Sequence, residues 1–540
     1  MSSKSYAFCP DAGDDRVWLW LFVALAANLI CGCSGLPTRP AEYDSVPTVN
    51  FHGTALEAEL GSAVAEHFGL TGVHPLEHGL DAFATRMALV KAAERTLDVQ
   101  YYIWHPDETG RFLANELIQA ANRGVRVRLL LDDIGTSADD ENLLALDNHT
   151  NIEVRLFNPV TGRKFRGLST LFDFGRVNRR MHNKSLTVDA QVTLVGGRNI
   201  GNEYFGFGPG VEFADFDVVA IGSIVKSAAD AFELFWNSPS SMPMALVNKT
   251  KISAEETAQK RATLAAQCEE LKNLPYAEAA RNSRLITDLR ERDLKWFWGR
   301  AQLVYDLPDK VTTSPGERAT HLMPQLRPVV DRTERELLII SPYFVPGSEG
   351  VKFFKSLRQR GVRVVIITNS LEANDVAIVH AGYRRYRRAL LRAGVELYEF
   401  KAAAAMGDKT AEKKSLRGSR VGSSSVSLHA KTFVFDQRNI FVGSLNLDPR
   451  STSLNTEIGA VIDLPELAKH VAERIEQHGL QNCYRLELVC GTGANTNSTW
   501  INWVSEENGT TKRYKKEPNA SFGRRFLVGF MSWLPIESQL

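Results

Sequence analysis

The sequence predicts an α/β protein built from two similar halves, each with a mainly parallel β-sheet flanked by helices. Strand-like apolar runs alternate with helix-like segments in both halves, which is the pattern of βαβ units. A motif of His, any residue, Lys and, after four intervening residues, Asp begins at His182 and again at His429. The string GVRVRLLLDD also recurs as GVRVVIITNS, so the chain contains an internal repeat with a period of about 240 residues.

The chain begins with a segment that resembles a bacterial export signal. Residues 17–30 are almost entirely apolar but are few for a membrane span. We expect Cys33 to become the lipidated cysteine of a lipoprotein, with Cys31 as the second choice. The alternative is an uncleaved anchor, because the preceding residues lack the usual positive bias. Either arrangement places the body beside a bacterial membrane, and we expect it to face the periplasm.

The first half contains a βαβ unit. We predict a helix from Asp81 to Glu94, a buried strand from Leu97 to Trp104, a helix from Phe112 to Arg123 and a strand from Val125 to Leu131. The order of strand, helix and strand, with a short connection at each step, favours parallel pairing of the two strands.

The second half repeats this order. A strand is predicted from Leu337 to Val345, a helix from Val351 to Arg360 and a strand from Val362 to Thr368. Between the halves, the segment from Ser253 to Arg292 is rich in Ala, Glu, Lys and Arg, which predicts an exposed helical connector.

Each motif lies on a predicted strand that turns back on itself. Because strand residues two apart share a face, the histidine and lysine of each copy should project together into a site. The aspartates fall at the turns, where aspartate often hydrogen-bonds its own backbone, so we favour a turn role for them over a direct chemical one. The full set of candidate catalytic residues is His182, Lys184, Asp189, His429, Lys431 and Asp436.

Two histidines and two lysines in one pocket suit the cleavage of a phosphodiester. The ammonium groups would neutralise the phosphate and the charge that develops in the transition state. One neutral imidazole can attack phosphorus to form a phosphohistidine, while the other, protonated, donates to the leaving alcohol and then serves as a base. The intermediate can pass its group to an alcohol or to water, so the same site can transfer or hydrolyse.

Five further residues are candidates for binding phosphate or orienting the histidines. Asn199, Ser444 and Asn446 follow the hairpins and carry groups that could hydrogen-bond phosphate oxygens. Asp217 and Glu457 match in our alignment of the halves, and a carboxylate at such a position can fix the tautomer of a histidine.

These strings resemble the phospholipase D superfamily and, within it, the bacterial cardiolipin synthases of the C type. The superfamily resemblance rests on RVNRRMHNKSLTVD and GGRNIGNEYF in the first half, and on SLHAKTFVFD and VGSLNLDPRSTSLNTEIG in the second. The strings NIEVRLFNP, VHAGYRRYRRALLRAGVELYE and LPIES point to the cardiolipin synthases. The first half departs from the second at Gly197, which stands where the second half has Ser444.

The resemblance implies two phospholipase D-like halves with the active site at their interface. It implies transfer of a phosphatidyl group from phosphatidylethanolamine or phosphatidylglycerol to a second phosphatidylglycerol, with no cofactor. We choose His182 as nucleophile and His429 as acid and base, with Lys184 and Lys431 binding phosphate. The alternatives are a phospholipase D-type hydrolase, a nuclease of the same fold, or an inactive scaffold.

Composition bears on the partners. The formal net charge of +1 argues against a nuclease, and none of the six cysteines has zinc-site spacing, so we predict no metal. Cys483 and Cys490 could form a disulfide or remain reduced. The basic, aromatic C-terminal tail fits either a membrane surface or core packing. We expect phospholipid substrates, a membrane surface, no nucleic acid and a monomer.

The predicted domain organisation follows from these patterns. It comprises a signal segment (1–33), a linker (34–78), the first half (79–245), a helical connector (246–300), the second half (301–465) and a basic, aromatic tail (466–540).

Overall fold

The computed structural model describes residues 36, 38–40, 43, 52–136, 139–161, 163, 170, 173–208, 212–402, 426–491, 499–507, 509–534 and 537–539. Cys31 and Cys33, on which the expectation of lipidation rests, lie outside the described residues. Within the described ranges, every helix is too short or too polar to cross a bilayer.

The strands divide between the two halves. Those of the first half are β1 Thr71–Leu76, β2 Thr96–Tyr101, β3 Arg126–Asp132, β4 Ile152–Phe157, β5 Ser185–Val188, β6 Val192–Gly196, β7 Glu212–Ala214, β8 Asp217–Gly222 and β9 Ser241–Pro243. Those that follow are β10 Phe297–Tyr305, β11 Glu336–Ile340, β12 Arg363–Asn369, β13 Glu396–Phe400, β14 Val426–Leu428, β15 Thr432–Phe435, β16 Asn439–Gly443, β17 Ile458–Asp463, β18 Cys483–Cys490, β19 Thr499–Glu507 and β20 Thr510–Tyr514.

The helices flank the strands. In and before the first half they are α1 Ala55–Glu66, α2 Gly79–Ala92, α3 Glu108–Asn122, α4 Asp140–Asp147, α5 Phe174–Val177, α6 Asn202–Phe205, α7 Ser223–Trp236 and α8 Met244–Val247. The connector holds α9 Ala254–Leu271, α10 Pro275–Arg281 and α11 Arg284–Glu291. The remaining helices are α12 Leu322–Asp331, α13 Gly347–Gln359, α14 Ala377–Arg384, α15 Arg387–Arg392, α16 Pro449–Ser453, α17 Pro465–Arg474 and α18 Phe522–Met531. Short turns of other helix types are Pro308–Val311, Ile475–Gly479, Leu480–Asn482 and Glu537–Gln539.

Seven strands of each half follow the same order, which confirms the predicted α/β repeat, while β9 extends the first sheet and β18, β19 and β20 extend the second. The first runs β4-β3-β2-β5-β6-β8-β1, and the second runs β13-β12-β11-β15-β16-β17-β10. Within these two sheets, parallel pairing among the described strands is limited to β2–β3–β4 and β11–β12–β13. The sheets are therefore mixed and not mainly parallel, because each motif hairpin pairs antiparallel with the first strand of its βαβ unit.

The halves are joined through backbone pairing and a shared core. β1 and β10 pair antiparallel, so the two sheets are continuous, and β7 pairs with β14 in a small parallel ribbon. Between the sheets, apolar side chains from both halves form one cluster that includes Val73, Ala228, Leu303 and Leu467. This packing fixes the position of one half on the other.

The predicted βαβ elements of both halves are confirmed, with ends displaced by a few residues. The strand predicted to reach Trp104 ends at Tyr101, where the chain turns at the edge of the sheet. The connector is helical, but it is less exposed than expected, because Cys268, Ala277 and Leu285 pack into the first-half core. An amphipathic helix with an apolar stripe is stabilised by covering such a surface.

The structure answers whether Cys483 and Cys490 are disulfide-bonded and whether the aromatic tail packs into the core. Cys483 and Cys490 occupy opposite ends of β18 and both are free, so they form no disulfide. Cys483 is buried, whereas Cys490 is exposed. Helix α18 buries Val528, but its aromatic side chains face outward, which excludes core packing for that face.

The motif aspartates stabilise the hairpin turns. The Asp189 carboxylate accepts hydrogen bonds from the backbone N–H groups of Glu94, Arg95 and Thr96 at 2.7–2.9 Å. Asp436 accepts from the three equivalent groups of the second half at 2.8–2.9 Å. Both aspartates have positive φ, as in the tight turns that connect paired strands. They lie at the far end of the hairpin from the histidines, so a direct chemical role for Asp189 and Asp436 is wrong.

Replacing Asp189 with Ala should lower the free energy of unfolding by about 3 kcal/mol, because three backbone donors lose a charged acceptor. Asp436→Ala is the matched variant and should cost less, since its turn is more exposed. Urea unfolding of both variants measures the difference. No loss for Asp189→Ala would contradict the turn role.

Candidate active site

His182 is held by the opposite half of the molecule. It precedes β5, and its backbone N–H donates to the carbonyl of Thr456 at 2.9 Å. Its Nδ1 lies 2.8 Å from Oε2 of Glu457. With Nδ1–H donating to this carboxylate, Nε2 carries the lone pair. The residue is 8% exposed, so the ring is almost fully enclosed.

His429 is held in the equivalent way by residues of the first half. Its backbone N–H donates to Ala214 O at 2.8 Å, and its Nδ1 lies 2.6 Å from Oδ2 of Asp215. Each histidine is therefore oriented by a carboxylate that the other half supplies. The strands β8 and β17 begin shortly after Asp215 and Glu457, so these residues occupy equivalent positions in the two halves.

Asp217 does not orient a histidine, contrary to the sequence alignment. Its carboxylate pairs with Arg86 at 2.9 Å and lies 3.4 Å from Arg198. In the sheets, Asp217 pairs with Gly196 and Gly459 pairs with Gly443, so Asp217 corresponds to Gly459. The alignment was displaced by two residues. Pairing the acidic and apolar residues of DFDVV with those of EIGAV would have identified Asp215.

The two lysines form a buried cationic centre. Lys184 Nζ donates to His182 O at 2.6 Å, and Lys431 Nζ lies 3.1 Å from His429 Nε2. Both side chains are buried, and neither forms an ion pair within the described ranges. Burial lowers the pKa of Lys184 to about 7 and that of Lys431 to about 8. An anionic ligand would stabilise both ammonium groups.

The lysine and the carboxylate beside His182 affect its protonation differently from those beside His429. Burial lowers the pKa of His182 well below its usual value, and Lys184 lowers it further. The partner of His182 is weakly acidic, since burial raises the pKa of Glu457 to about 7. His182 therefore favours the neutral form.

The environment of His429 supports a proton better. Burial and Lys431 lower the pKa of His429, whereas Asp215 opposes that shift. Burial would raise the pKa of Asp215, but the charge of His429 and their hydrogen bond hold it well below its usual range. An ionised Asp215 stabilises an imidazolium at His429.

The predicted phosphate-binding residues have different positions. Asn199 accepts from Ile103 N at 3.1 Å and donates to the hydroxyl of Tyr204 at 2.9 Å, so its amide supports the fold around the site. Ser444 donates to Oε2 of Glu457 at 2.5 Å and orients that carboxylate. The Oδ1 atom of Asn446 is buried and has no partner among the described residues.

The glycine at position 197 has a steric reason. A Cβ at Gly197 would lie 2.1 Å from Oδ1 of Asp215. In the first half, the carboxylate of Asp215 fills the space beside Gly197. In the second half, the Ser444 side chain fills the equivalent space, and the longer Glu457 side chain extends past it to His182. The one-sided hydroxyl contact expected from the sequence thus reflects two different carboxylate supports.

Aromatic rings that the sequence analysis missed enclose the imidazoles. The ring centroid of Tyr102 lies 5.0 Å from that of His182, edge to face. Tyr204 lies 5.2 Å from His429, and Phe213 stacks on His429 at 5.0 Å. Tyr102 falls inside the strand predicted from Leu97 to Trp104, whereas the observed β2 ends one residue before it, at Tyr101. These rings limit the access of water.

The site shows no grouping of metal ligands. Across the described ranges, no three His, Cys, Asp or Glu side chains are placed to share a metal ion. The imidazoles contact carboxylates through Nδ1, and the cationic groups are the lysines. This set suits a phosphate group whose charge the lysines neutralise.

Comparison with known proteins gives consistent matches. Residues 87–212 and 326–478 match a family model described as "Cardiolipin synthase, PLD-like domain", where PLD denotes phospholipase D. Cardiolipin synthase C of Escherichia coli K12 is 44% identical over 488 residues, covering 88% of this chain and 99% of that protein. An uncharacterized protein of Helicobacter pylori J99 is 31% identical over 539 residues, covering 95% of this chain and 98% of that protein.

A solved structure has the same fold. The crystal structure of phosphatidylserine synthase from Haemophilus influenzae Rd KW20 matches with a TM-score of 0.54. It covers 89% of this chain and 100% of that chain at 15% identity. At this identity the match establishes the architecture only.

Neutralising Asp215 should change the titration of His429, whereas neutralising Asp217 should change stability. Asp215→Asn should lower the pKa of His429 further and weaken its preference for Nδ1–H, because the supporting charge is lost. Asp217→Asn should leave His429 unchanged but lower the free energy of unfolding by about 3–5 kcal/mol, because Arg86 stays buried without its partner.

Histidine side-chain ¹⁵N chemical shifts report the tautomer and pKa, and urea unfolding reports stability. A shift of the His429 titration by Asp217→Asn, with none for Asp215→Asn, would contradict the assignment.

Proposed function

Because the chain belongs to the cardiolipin synthase family of phospholipase D-like enzymes, we propose that it is a phosphatidyltransferase that forms cardiolipin. It would transfer a phosphatidyl group from a donor phospholipid to the glycerol headgroup of phosphatidylglycerol. The donor is phosphatidylethanolamine or a second phosphatidylglycerol. The observation that carries this proposal is the buried centre of two lysines and two imidazoles, each imidazole supported by a carboxylate of the opposite half.

His182 is the nucleophile in this proposal. Its depressed pKa keeps the imidazole neutral, and its Nδ1–H donates to Glu457, which leaves Nε2 free to attack phosphorus. The P–Nε2 bond forms as the bond from phosphorus to the headgroup oxygen breaks. Lys184 and Lys431 neutralise the phosphate oxygens as charge develops on them.

His429 is the acid and then the base. Supported by Asp215, it donates its Nε2 proton to the departing headgroup oxygen. The acceptor hydroxyl of phosphatidylglycerol then gives its proton to His429 Nε2 and attacks phosphorus, which breaks the bond to His182. Both histidines return to their starting states, and no cofactor is consumed.

Hydrolysis of the same intermediate is the alternative, since water can replace the acceptor hydroxyl. Two observations favour transfer. The two histidines are only 7–8% exposed, and aromatic rings surround them, so an acceptor presented beside the donor competes with little water. The 44% identity to a cardiolipin synthase C supports the same outcome.

We also propose where the enzyme acts and how the chain is divided. It is a monomer at a bacterial membrane, facing the periplasm, with Cys33 as the lipidated residue. The two catalytic halves are 79–245 and 301–465, joined by the connector 246–300, with 466–540 as the C-terminal region. Packing of the connector helices against the first-half core supports a connector that belongs structurally to that half.

A lipid assay tests the activity. Membrane-bound protein is incubated with labelled phosphatidylglycerol, with and without phosphatidylethanolamine, and the lipids are separated. We expect cardiolipin, with release of glycerol or ethanolamine according to the donor. Phosphatidic acid as the sole product would refute the transferase assignment.

A substrate with a better leaving group distinguishes the nucleophilic histidine from the acid. His182→Ala and His429→Ala should each lower turnover of natural lipids by about a thousandfold or more. A phosphatidyl ester of p-nitrophenol needs no acid to leave, so release of its first equivalent should return in His429→Ala but not in His182→Ala. Recovery in His182→Ala instead would reverse the assignment.

A further inference from the structure

A groove lined by basic residues lies on the C-terminal part of the chain. A groove of about 740 Å³ runs between the segment that joins α14 to α15, the strand β19 and helix α18. We name it the basic groove. Its lining includes the cations Arg384, Arg388, Lys515, Lys516 and Arg525.

Seven cations line the basic groove, and two of them are ion-paired: Arg385 with Glu537, and Arg387 with Glu399 and Glu517. The five named above remain. None of these five cations lies within ion-pair distance of a carboxylate in the ranges that the structure describes. The acidic side chain in the lining, Glu517, is buried and already pairs with Arg387 at 2.6 Å and with His380 at 3.1 Å. The groove is therefore suited to an anionic ligand.

A stripe of exposed aromatic residues lies beside the groove, and Phe522, Phe526 and Trp533 also line it. Phe522, Phe526, Phe530 and Trp533 of the C-terminal helical segment are 80%, 68%, 61% and 87% exposed. On the opposite face, Val528 is fully buried against Leu371, Ala381 and Ala520, so the helix is docked. An aromatic face beside unpaired cations is the arrangement of helices that lie at the boundary of an anionic bilayer.

The same helix contacts the rim of the active site. The Arg524 guanidinium donates to the carbonyl of Asn374. The next residue, Asp375, accepts from the hydroxyl of Tyr343 at 2.8–2.9 Å, and its charge acts on Lys431. A bilayer seated on the helix would therefore lie next to the loop that borders the catalytic pocket.

We propose that the basic groove binds the phosphate headgroup of an anionic phospholipid in a bilayer, while the aromatic stripe enters the interface. The Trp500 indole N–H, which lines the groove and has no partner among the described residues, is a further donor for a phosphate oxygen. The site is separate from the paired histidines. The proposal rests on the proposed action at a membrane but requires no turnover.

Vesicle co-sedimentation of the full chain tests the proposal. The probes are phosphatidylcholine vesicles and equimolar vesicles of phosphatidylcholine and phosphatidylglycerol. Neutralising the groove with R384Q, R388Q, K515Q and K516Q together should weaken binding to the anionic vesicles at least about tenfold, because each basic residue near such a surface contributes. Binding to neutral vesicles should change little.

The matched control removes four exposed charges elsewhere, with K226Q, R284Q, R327Q and K469Q, and should bind as the parent does. F526S with W533S should weaken binding to both kinds of vesicle. Urea unfolding of each variant establishes that the fold is retained.

The outcomes separate this proposal from the catalytic one. H182A should bind anionic vesicles as the parent does even though it makes no product. Equal binding by the groove variant and the matched control would overturn the groove proposal and leave the catalytic one intact. Binding to a single-stranded oligonucleotide in preference to anionic vesicles would also overturn it.

Discussion

The active site depends on two crossed hydrogen bonds, one from each imidazole to a carboxylate of the opposite half. Charge-assisted hydrogen bonds of this kind contribute about 1.5–3 kcal/mol each and fix both the ring orientation and the tautomer. Neither half contains a complete histidine support. The continuous sheet through β1 and β10 and the apolar core between the halves are therefore prerequisites for the chemistry.

The two carboxylates that orient the histidines, Asp215 and Glu457, differ chemically although they occupy equivalent positions in the repeat. The second half has a glutamate whose reach leaves room for Ser444, and burial keeps that carboxyl weakly acidic. The first half has a shorter aspartate that needs Gly197 beside it and remains ionised. One backbone repeat thus provides one neutral imidazole and one that can hold a proton. Such an inequality lets a nearly symmetric site assign separate roles to its two histidines.

Much of this arrangement could be predicted from the sequence. The repeated motif identified the two histidines and two lysines, although each pair directly precedes β5 or β15 and does not lie within the predicted strand. A correct alignment of the halves would have identified Asp215, but its hydrogen bond to His429 could not be predicted, because that contact depends on how the halves face each other. A two-residue error in the alignment selected Asp217, whose real partner, Arg86, is distant in sequence. The antiparallel pairing of each hairpin with β2 or β11, and the aromatic enclosure, likewise depend on tertiary packing.

An experimental structure with bound vanadate tests the central claim most directly, because vanadate resembles phosphorus during transfer. We expect vanadium bonded to Nε2 of His182, with Nε2 of His429 hydrogen-bonded to the opposite apical oxygen and the two lysines on the equatorial oxygens. The crossed contacts to Glu457 and Asp215 should persist. Vanadate bound in one half alone, with the second imidazole out of reach, would contradict the account.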